Sequence, residues 1–404
     1  FTIVNNNLFT FVTQLKLMNS LQLATHFLVT EITKRYVTLQ HIKPFMESLS
    51  SKRFSTKIIG HSVLQKPIYS ISFGKGKKKV LMWSQMHGNE STTTKGVLDF
   101  INFLQSNNSL AQTIYNSYTV VIIPILNPDG AELYTRENAN KIDLNRDAKN
   151  NTQPESKVLR AICKEFQPDL CLNLHDQRTI FGTENTGLPA TMSFLAPAYN
   201  ATRDYNETRL QAVQIINTIA NELSNYIPNQ IGRFDDSFND NCIGDYLMTQ
   251  NVPTILFEAG HFQNDYQRDE VRKFVFIALL QVFSTTNENV IVDNELDKYL
   301  KIPQNKKCFY DFYYKNIKIL DKNSEKTINF AAHYEEHLVH KKIEFVAKIV
   351  ALALENDFYG HFEYDGKEKL FECEGENMPK IGKRADFSLA NTLLFRNGLQ
   401  QINE

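Results

Sequence analysis

His87 and Glu90 stand three residues apart in Trp83-Ser84-Gln85-Met86-His87-Gly88-Asn89-Glu90. Residues 79–83 before them read as a buried strand, and residues 91–104 after them as a helix. An imidazole and a carboxylate therefore meet at the mouth of a strand-to-helix turn, the edge at which open α/β sheets bind ligands. Both side chains ligate zinc, and a catalytic zinc takes three protein ligands and one water. A third ligand must come from elsewhere in the chain.

His175 and Glu258 occupy the same kind of position, each just after a predicted buried strand (residues 169–174 and 252–257). In a mainly parallel sheet such ends share one edge. Arg136, Asn138, Asp143, Asn145 and Arg146 lie in the loop after a fourth strand, residues 118–126. Together these residues offer three metal ligands, a spare carboxylate and donors for anionic oxygens. Metal-assisted hydrolysis of an acyl bond needs that set. Zinc acidifies water and polarises a carbonyl, and a carboxylate moves the proton. One arginine stabilises the oxyanion, and another can hold a substrate carboxylate.

The elements that must position these residues alternate. Residues 20–50 read as helical with a break near 36–38, 54–73 as a hairpin, and 91–104 as a helix with Val97, Phe100, Ile101 and Leu104 on one face. Asn127-Pro128-Asp129-Gly130 reads as a turn. Helices follow at 155–165, 204–224, 241–250 and 267–284, and residues 176–200 read as irregular. Strands alternating with helices argue for an α/β domain with helices on both faces of the sheet. Beyond residue 300 short β-like runs (308–314, 343–352, 360–364) indicate a small, mostly β domain. The expected organisation is an N-terminal helical extension over 1–50, a catalytic domain over 51–290 and an accessory domain over 300–404.

Bulk properties exclude little. The chain has 404 residues, 42% of them apolar and 22% charged, with a net charge of −1. That balance gives no argument for nucleic acid or an anionic membrane as partner, and no apolar run reaches the length of a membrane span. Five scattered cysteines without a C-x-x-C pair point to reduced thiols. Residues 1–17 lack the features of a signal peptide, so Met18 is a candidate start and a cytoplasmic location is expected.

The motifs together resemble the zinc carboxypeptidases of the M14 (carboxypeptidase A-like) family. The matching pieces are His87-Gly88-Asn89-Glu90, Asn127-Pro128-Asp129-Gly130, Arg136-Glu137-Asn138, Asp143-Leu144-Asn145-Arg146-Asp147, Asn173-Leu174-His175 and Phe257-Glu258-Ala259-Gly260. They occur in the family's order across roughly residues 50–285. The resemblance implies a mixed, twisted sheet between helices. It implies that His87, Glu90 and His175 bind one zinc and that Glu258 is general base and then acid. Arg136 would polarise the scissile carbonyl, Asn145 and Arg146 would grip a terminal carboxylate, and Asp143 would hydrogen-bond His87. The substrate would be a peptide losing its C-terminal residue. The alternatives are hydrolysis of small N-acyl amino acids, which also carry a free carboxylate, and a non-catalytic binding role.

The chain departs from the family at three places. The family tyrosine eight residues before Asp245 is absent; Ser237 stands there. Gly244 fills the position that sets side-chain preference in digestive members, and the stretch from Arg146 to His175 is short. Asp176, Gln177 and Arg178 suit a cleft lining or a surface loop equally. His261 reads as a core histidine. A rival motif, His333-Tyr334-Glu335-Glu336-His337, fits the inverted zincin pattern H-x-x-E-H. Its charged surroundings and lack of a third-ligand stretch favour a solvated helix or hairpin face.

Overall fold

Continuous apolar runs buried on both faces build the central strands of the larger unit, seen here in a computed structural model. The structure describes residues 18–284, 294–322 and 324–401, so the reading of residues 1–17 lies outside it. The polypeptide divides into two units. The larger takes residues up to Gln177 together with Thr183–Asn305, and the smaller takes Arg178–Gly182 together with residues from Lys306 onward.

In the larger unit, Phe54–His61 (β1), Pro67–Gly74 (β2), Lys78–Trp83 (β3), Tyr118–Ile123 (β4), Leu170–Asp176 (β5), Met192–Leu195 (β6), Ile231–Arg233 (β7) and Thr254–Ala259 (β8) form one sheet. Their order is β1-β2-β4-β3-β5-β8-β6-β7. The central strands β4, β3, β5 and β8 run parallel. β2 pairs antiparallel with β1 and β4, and β6 antiparallel with β8. The sheet is therefore mixed, and its parallel centre brings four strand ends to one edge.

Helices cover both faces. They are Ser20–His26 (α1), Leu39–Ser48 (α2), Thr92–Leu104 (α3), Ser109–Ser117 (α4), Pro128–Leu133 (α5), Pro154–Phe166 (α6), Glu207–Leu223 (α7), Ile243–Thr249 (α8), Val271–Ser284 (α9) and Glu295–Leu300 (α10). Val80, Met82, Val120, Ile122 and Leu172 share a core with α1, α3, α7 and α9. Their alternating neighbours Leu81, Trp83, Val121, Ile123 and Cys171 share a second core with Leu159 of α6 and with Ile243 and Leu247 of α8.

One buried ion pair locks the first of these layers. Arg272 of α9 donates from Nε to Asp99 Oδ2 at 2.7 Å and from a terminal nitrogen to Oδ1 at 2.5 Å. The Val29 N–H also donates to Oδ1, at 2.7 Å. Because α3 begins two residues after Glu90, this pair fixes the helix that carries the ligand segment.

Local differences from the sequence reading have local causes. Asn127-Pro128-Asp129-Gly130 starts α5 rather than making a free turn. Asn127 Oδ1 accepts the Gly130 N–H at 2.9 Å, and Pro128 sits in the first turn. The same residue types serve a turn or a helix start. The last long helix begins at Val271, not 267, because the Asp265 carboxylate collects the N–H groups of Asp269, Glu270 and Val271 in a tight loop. Strand β6 lies inside the stretch read as irregular.

The smaller unit is β-rich. Phe309–Asp321 (β9), Ser324–Val339 (β10), Lys342–Leu352 (β11) and Tyr359–Asp365 (β12) form a sheet in the order β11-β10-β9-β12. A second sheet holds Phe371–Glu372 (β13), Phe387–Leu389 (β14), Leu393–Arg396 (β15) and Leu399–Gln400 (β16). Phe312, Tyr314 and Phe330 of the first share a core with Phe371, Phe387 and Phe395 of the second. Tyr314 and Tyr364 stack at 5.6 Å.

The H-x-x-E-H motif lies on β10, in a hairpin with β11. Residues four apart on a strand are about 13 Å apart, too far to share an ion. His333 pairs instead with Asp311 at 3.1 Å, and His337 with Glu335 at 3.2 Å.

Two outcomes follow. Replacing Asp99 by Ala strands the Arg272 guanidinium and lowers stability by about 3–5 kcal/mol; urea denaturation measures it, and an unchanged midpoint would remove the pair's structural role. Substituting His333 and His337 together by Ala leaves the zinc content per chain equal to that of the parent, as read by elemental analysis.

Candidate active site

The turn after β3 is shaped by close backbone approach. A Cβ on Gly88 would lie 1.9 Å from the Gly130 carbonyl carbon, so the first motif packs directly on the start of α5. Gln85 adopts φ 44°, and its buried amide donates to the carbonyls of Val37 and Gly88. The turn so formed points His87 and Glu90 towards the end of β5.

There they meet His175. His87 Nδ1 lies 2.8 Å from Glu90 Oε1, His175 Nδ1 lies 2.8 Å from Glu90 Oε2, and the two Nδ1 atoms are 3.1 Å apart. Among the described residues, this is the one group of three or more potential ligands whose donor atoms converge. Donors around a tetrahedral zinc at about 2.0–2.2 Å are roughly 3.3–3.5 Å apart. The observed spacings of 2.8 and 3.1 Å are about 0.2–0.7 Å shorter, and two Nδ1 atoms face each other where only one could carry a proton. A cation between them satisfies both, so these residues fit a zinc ion.

Supporting groups surround the three. His87 Nε2 bonds Asp143 Oδ1 at 3.0 Å, which turns its Nδ1 inward. Asp143 Oδ1 also accepts the Asn145 N–H at 2.8 Å, and Oδ2 accepts Arg136 Nε at 3.0 Å. Burial opposes the charge on Asp143, but the His87 hydrogen bond and the Arg136 guanidinium outweigh it and hold its carboxyl well below the usual range. Arg136 also reaches Glu90 Oε1 at 3.3 Å, and its side chain stays 42% exposed, open to an incoming group.

Glu258 stands directly beside His175 in the parallel register of β5 and β8. Burial, reinforced by the nearby charges of Glu90 and Asp176, pushes its carboxyl well above the ordinary value. Asn145 and Arg146 lie in the single turn Leu144–Arg146. Asn145 Oδ1 accepts the Ile243 N–H at 3.0 Å, which ties this turn to the start of α8. Arg146 is exposed, with one terminal nitrogen on the Asn145 carbonyl at 2.7 Å and on Cys242 Sγ at 3.2 Å.

Two other expectations, for Asn138 and for Asp176 with Gln177, need correction. Asn138 is not an anion donor. Its Nδ2 is spent on Gln153 and Glu155, and its Oδ1 on the N–H groups of Asn140 and Ile142. Asp176 and Gln177 hold the frame together rather than lining a cleft. Asp176 accepts the Thr92 and Thr93 N–H groups at 2.8 and 3.1 Å, and Gln177 Nε2 donates to Ala190 O at 2.6 Å and Ser193 Oγ at 3.0 Å. Where the family tyrosine would fall, Asp235 bonds Ser237 locally. The hydroxyl oxygen of Tyr246, close by in sequence, accepts from Arg160 at 2.6 Å. His261 is buried with its ring 4.7 Å from that of Tyr266.

One structural residue escaped the sequence reading. Arg268 is buried and donates to the carbonyls of Ala259, Gly260 and Gln177. It thereby staples the chain just past Glu258 to the chain just past His175. Gly260 belongs to the same junction, since a Cβ there would lie 2.0 Å from Ala190 O. An arginine in a polar loop carries no signal for this role, because these three acceptors are backbone carbonyls.

Comparison with known proteins agrees with this architecture. Residues 42–239 match the model of the zinc carboxypeptidase family. Carboxypeptidase SOL1 of Arabidopsis thaliana is 28% identical over 167 residues, covering 36% of this chain and 34% of that protein. Gamma-D-glutamyl-L-diamino acid endopeptidase 1 of Lysinibacillus sphaericus is 34% identical over 83 residues, covering 19% of this chain and 21% of that protein. The chain thus spans about a third or less of the length of these curated relatives. Among solved structures, a metallo-carboxypeptidase from Pseudomonas aeruginosa in complex with (2-guanidinoethylmercapto)succinic acid has a TM-score of 0.51 at 15% identity. That match covers 65% of this chain and 70% of the other, a likeness of fold. Residues 42–239 thus match the zinc carboxypeptidase (M14) family, and the mixed sheet of the larger unit has the fold of a metallo-carboxypeptidase.

Proposed function

We propose that the protein is a zinc-dependent carboxypeptidase that hydrolyses the last peptide bond of a peptide substrate. One observation carries the reading: the donor atoms of His87, Glu90 and His175 converge, and Glu258 stands beside the third of them in the register of β5 and β8.

His87 and His175 through Nδ1, with the Glu90 carboxylate, are the residues that would hold the metal. Bound there, zinc would make water more acidic and the scissile carbonyl more electrophilic. Glu258 takes a proton from the attacking water and delivers it to the departing amine nitrogen. Its buried, acid-crowded setting raises its affinity for that proton, which suits a group that must both accept and return it. Arg136, half-exposed beside Glu90, donates to the oxygen that gains negative charge.

Asn145 and Arg146 select the substrate's free carboxylate. Asn145 spends its oxygen on Ile243, which leaves its Nδ2 protons for a ligand. Arg146 keeps one terminal nitrogen on the loop and offers the rest of its guanidinium to the carboxylate. With no family tyrosine before Asp245, these two residues carry the grip. A cytoplasmic site of action is part of the same proposal.

The decisive experiment compares the parent protein with Glu258→Gln, measuring zinc content and products from a peptide mixture by mass spectrometry. The parent removes single C-terminal residues. Glu258→Gln keeps its zinc and loses at least about 100-fold in kcat. Turnover of N-acyl amino acids alone would identify a deacylase, and bound zinc without turnover of either class a binding protein.

Asp143→Ala frees the His87 ring and weakens zinc binding by about 10–100-fold, read by competition with a chromogenic chelator. An unchanged affinity would show that Asp143 does not orient the ligand.

A further inference from the structure

Away from the candidate metal site, the larger unit contains a concavity between α6 and α8. Its volume is about 490 Å³, within the range of small-molecule sites. It shares no residue with the candidate active site. Lys157, Arg160 and Lys164 bring three positive charges to its wall, and none of its lining residues is acidic. Arg160 is held in place by the Ala148 carbonyl at 2.7 Å and lies over the Tyr246 ring at 3.9 Å. Leu247 and Val252 supply apolar surface. The site suits a small anion with an apolar body.

It also contains a thiol. Cys163, half-buried on α6, lines the cavity, and Cys171, fully buried on β5, lies behind it in the same core. Both are free. Burial first, and then the hydrogen bond and charge of Cys163, push the Cys171 thiol well above its ordinary value. Cys163 lines the cavity beside three cations while Cys171 is fully buried, so Cys163 is the thiol that a ligand in the cavity meets first.

We propose that Cys163 is a thiol-exchange site for small anionic disulfides, with Cys171 as its resolving thiol. The Cys163 thiolate attacks one sulfur of the ligand. A protein–ligand S–S bond forms, the ligand's own S–S bond breaks, and one thiolate leaves. Cys171 then gives up its proton to that thiolate and attacks Cys163 sulfur, which expels a second small thiolate that takes up the proton Cys163 released. The two protein thiols are oxidised to one disulfide, and the external disulfide is reduced to two thiols.

The full chain treated with oxidised glutathione, an anionic disulfide, tests this by intact mass and peptide mapping. The parent protein yields a linked Cys163–Cys171 peptide. Cys171→Ser stops at a glutathione adduct on Cys163, and Cys163→Ser leaves Cys171 unreacted. Cystamine, a cationic disulfide, reacts with Cys163 roughly tenfold more slowly than oxidised glutathione. Substituting Lys157 and Lys164 together by Ala, both exposed, removes most of that difference. Modification confined to Cys242, Cys308 or Cys373 would overturn the proposal. An adduct on Cys163 that persists with Cys171 intact, or equal rates for the two reagents, would do the same.

Discussion

The Asp176 carboxylate is the constraint on which the site depends. It sits beneath the first turn of α3 and accepts the N–H groups of Thr92 and Thr93. Its own N–H donates to Glu90 Oε2 at 3.2 Å. A buried carboxylate at a helix N-terminus answers the unpaired amides and the positive end of the helix dipole. Here the same residue is covalently next to His175, and the same helix follows Glu90. One capping interaction therefore fixes the distance between ligands that are remote in sequence.

Around this joint the structure repeats one solution, a buried charge whose partners are backbone groups or a single opposite charge. Arg268 gathers three carbonyls at the ends of β5 and β8. Arg209 gathers those of Ala196, Arg203 and Asp204 while pairing with Asp236 at 2.8 Å. Such groups are costly to bury unless satisfied, so they tolerate little movement of the segments they join. The chain ends that carry the chemistry are held rigidly before any substrate arrives, the condition for electrostatic stabilisation without reorganisation.

Much of this was legible in the sequence because the central strands are buried on both faces. Runs such as Tyr118–Ile123 announce themselves, and their ends must share an edge if they are parallel. The convergence of His87, Glu90 and His175 is a consequence of that topology. What remained hidden depends on side chains with no pattern. Asp176 suited a cleft lining or a surface loop equally and proved to be neither, because its amide partners belong to a helix 84 positions away. Asn138 looked like an anion donor, but its acceptors, Gln153 and Glu155, come from the following helix and its approach. β6 is four residues long, too short for alternation to register.

The division of the chain has a consequence for its synthesis. Arg178–Gly182 leaves the ribosome long before Lys306, yet it belongs with the later part of the polypeptide. Within that unit His361 Nε2 donates to the Thr179 carbonyl at 2.8 Å. A short run only three residues past His175 must therefore wait for distant partners while the rest of its surroundings condense. Such non-local closure is slow. It makes the smaller unit something other than a detachable tail. A chain cut after Asn305 would leave that run without its hydrogen-bonding company, immediately downstream of the third ligand.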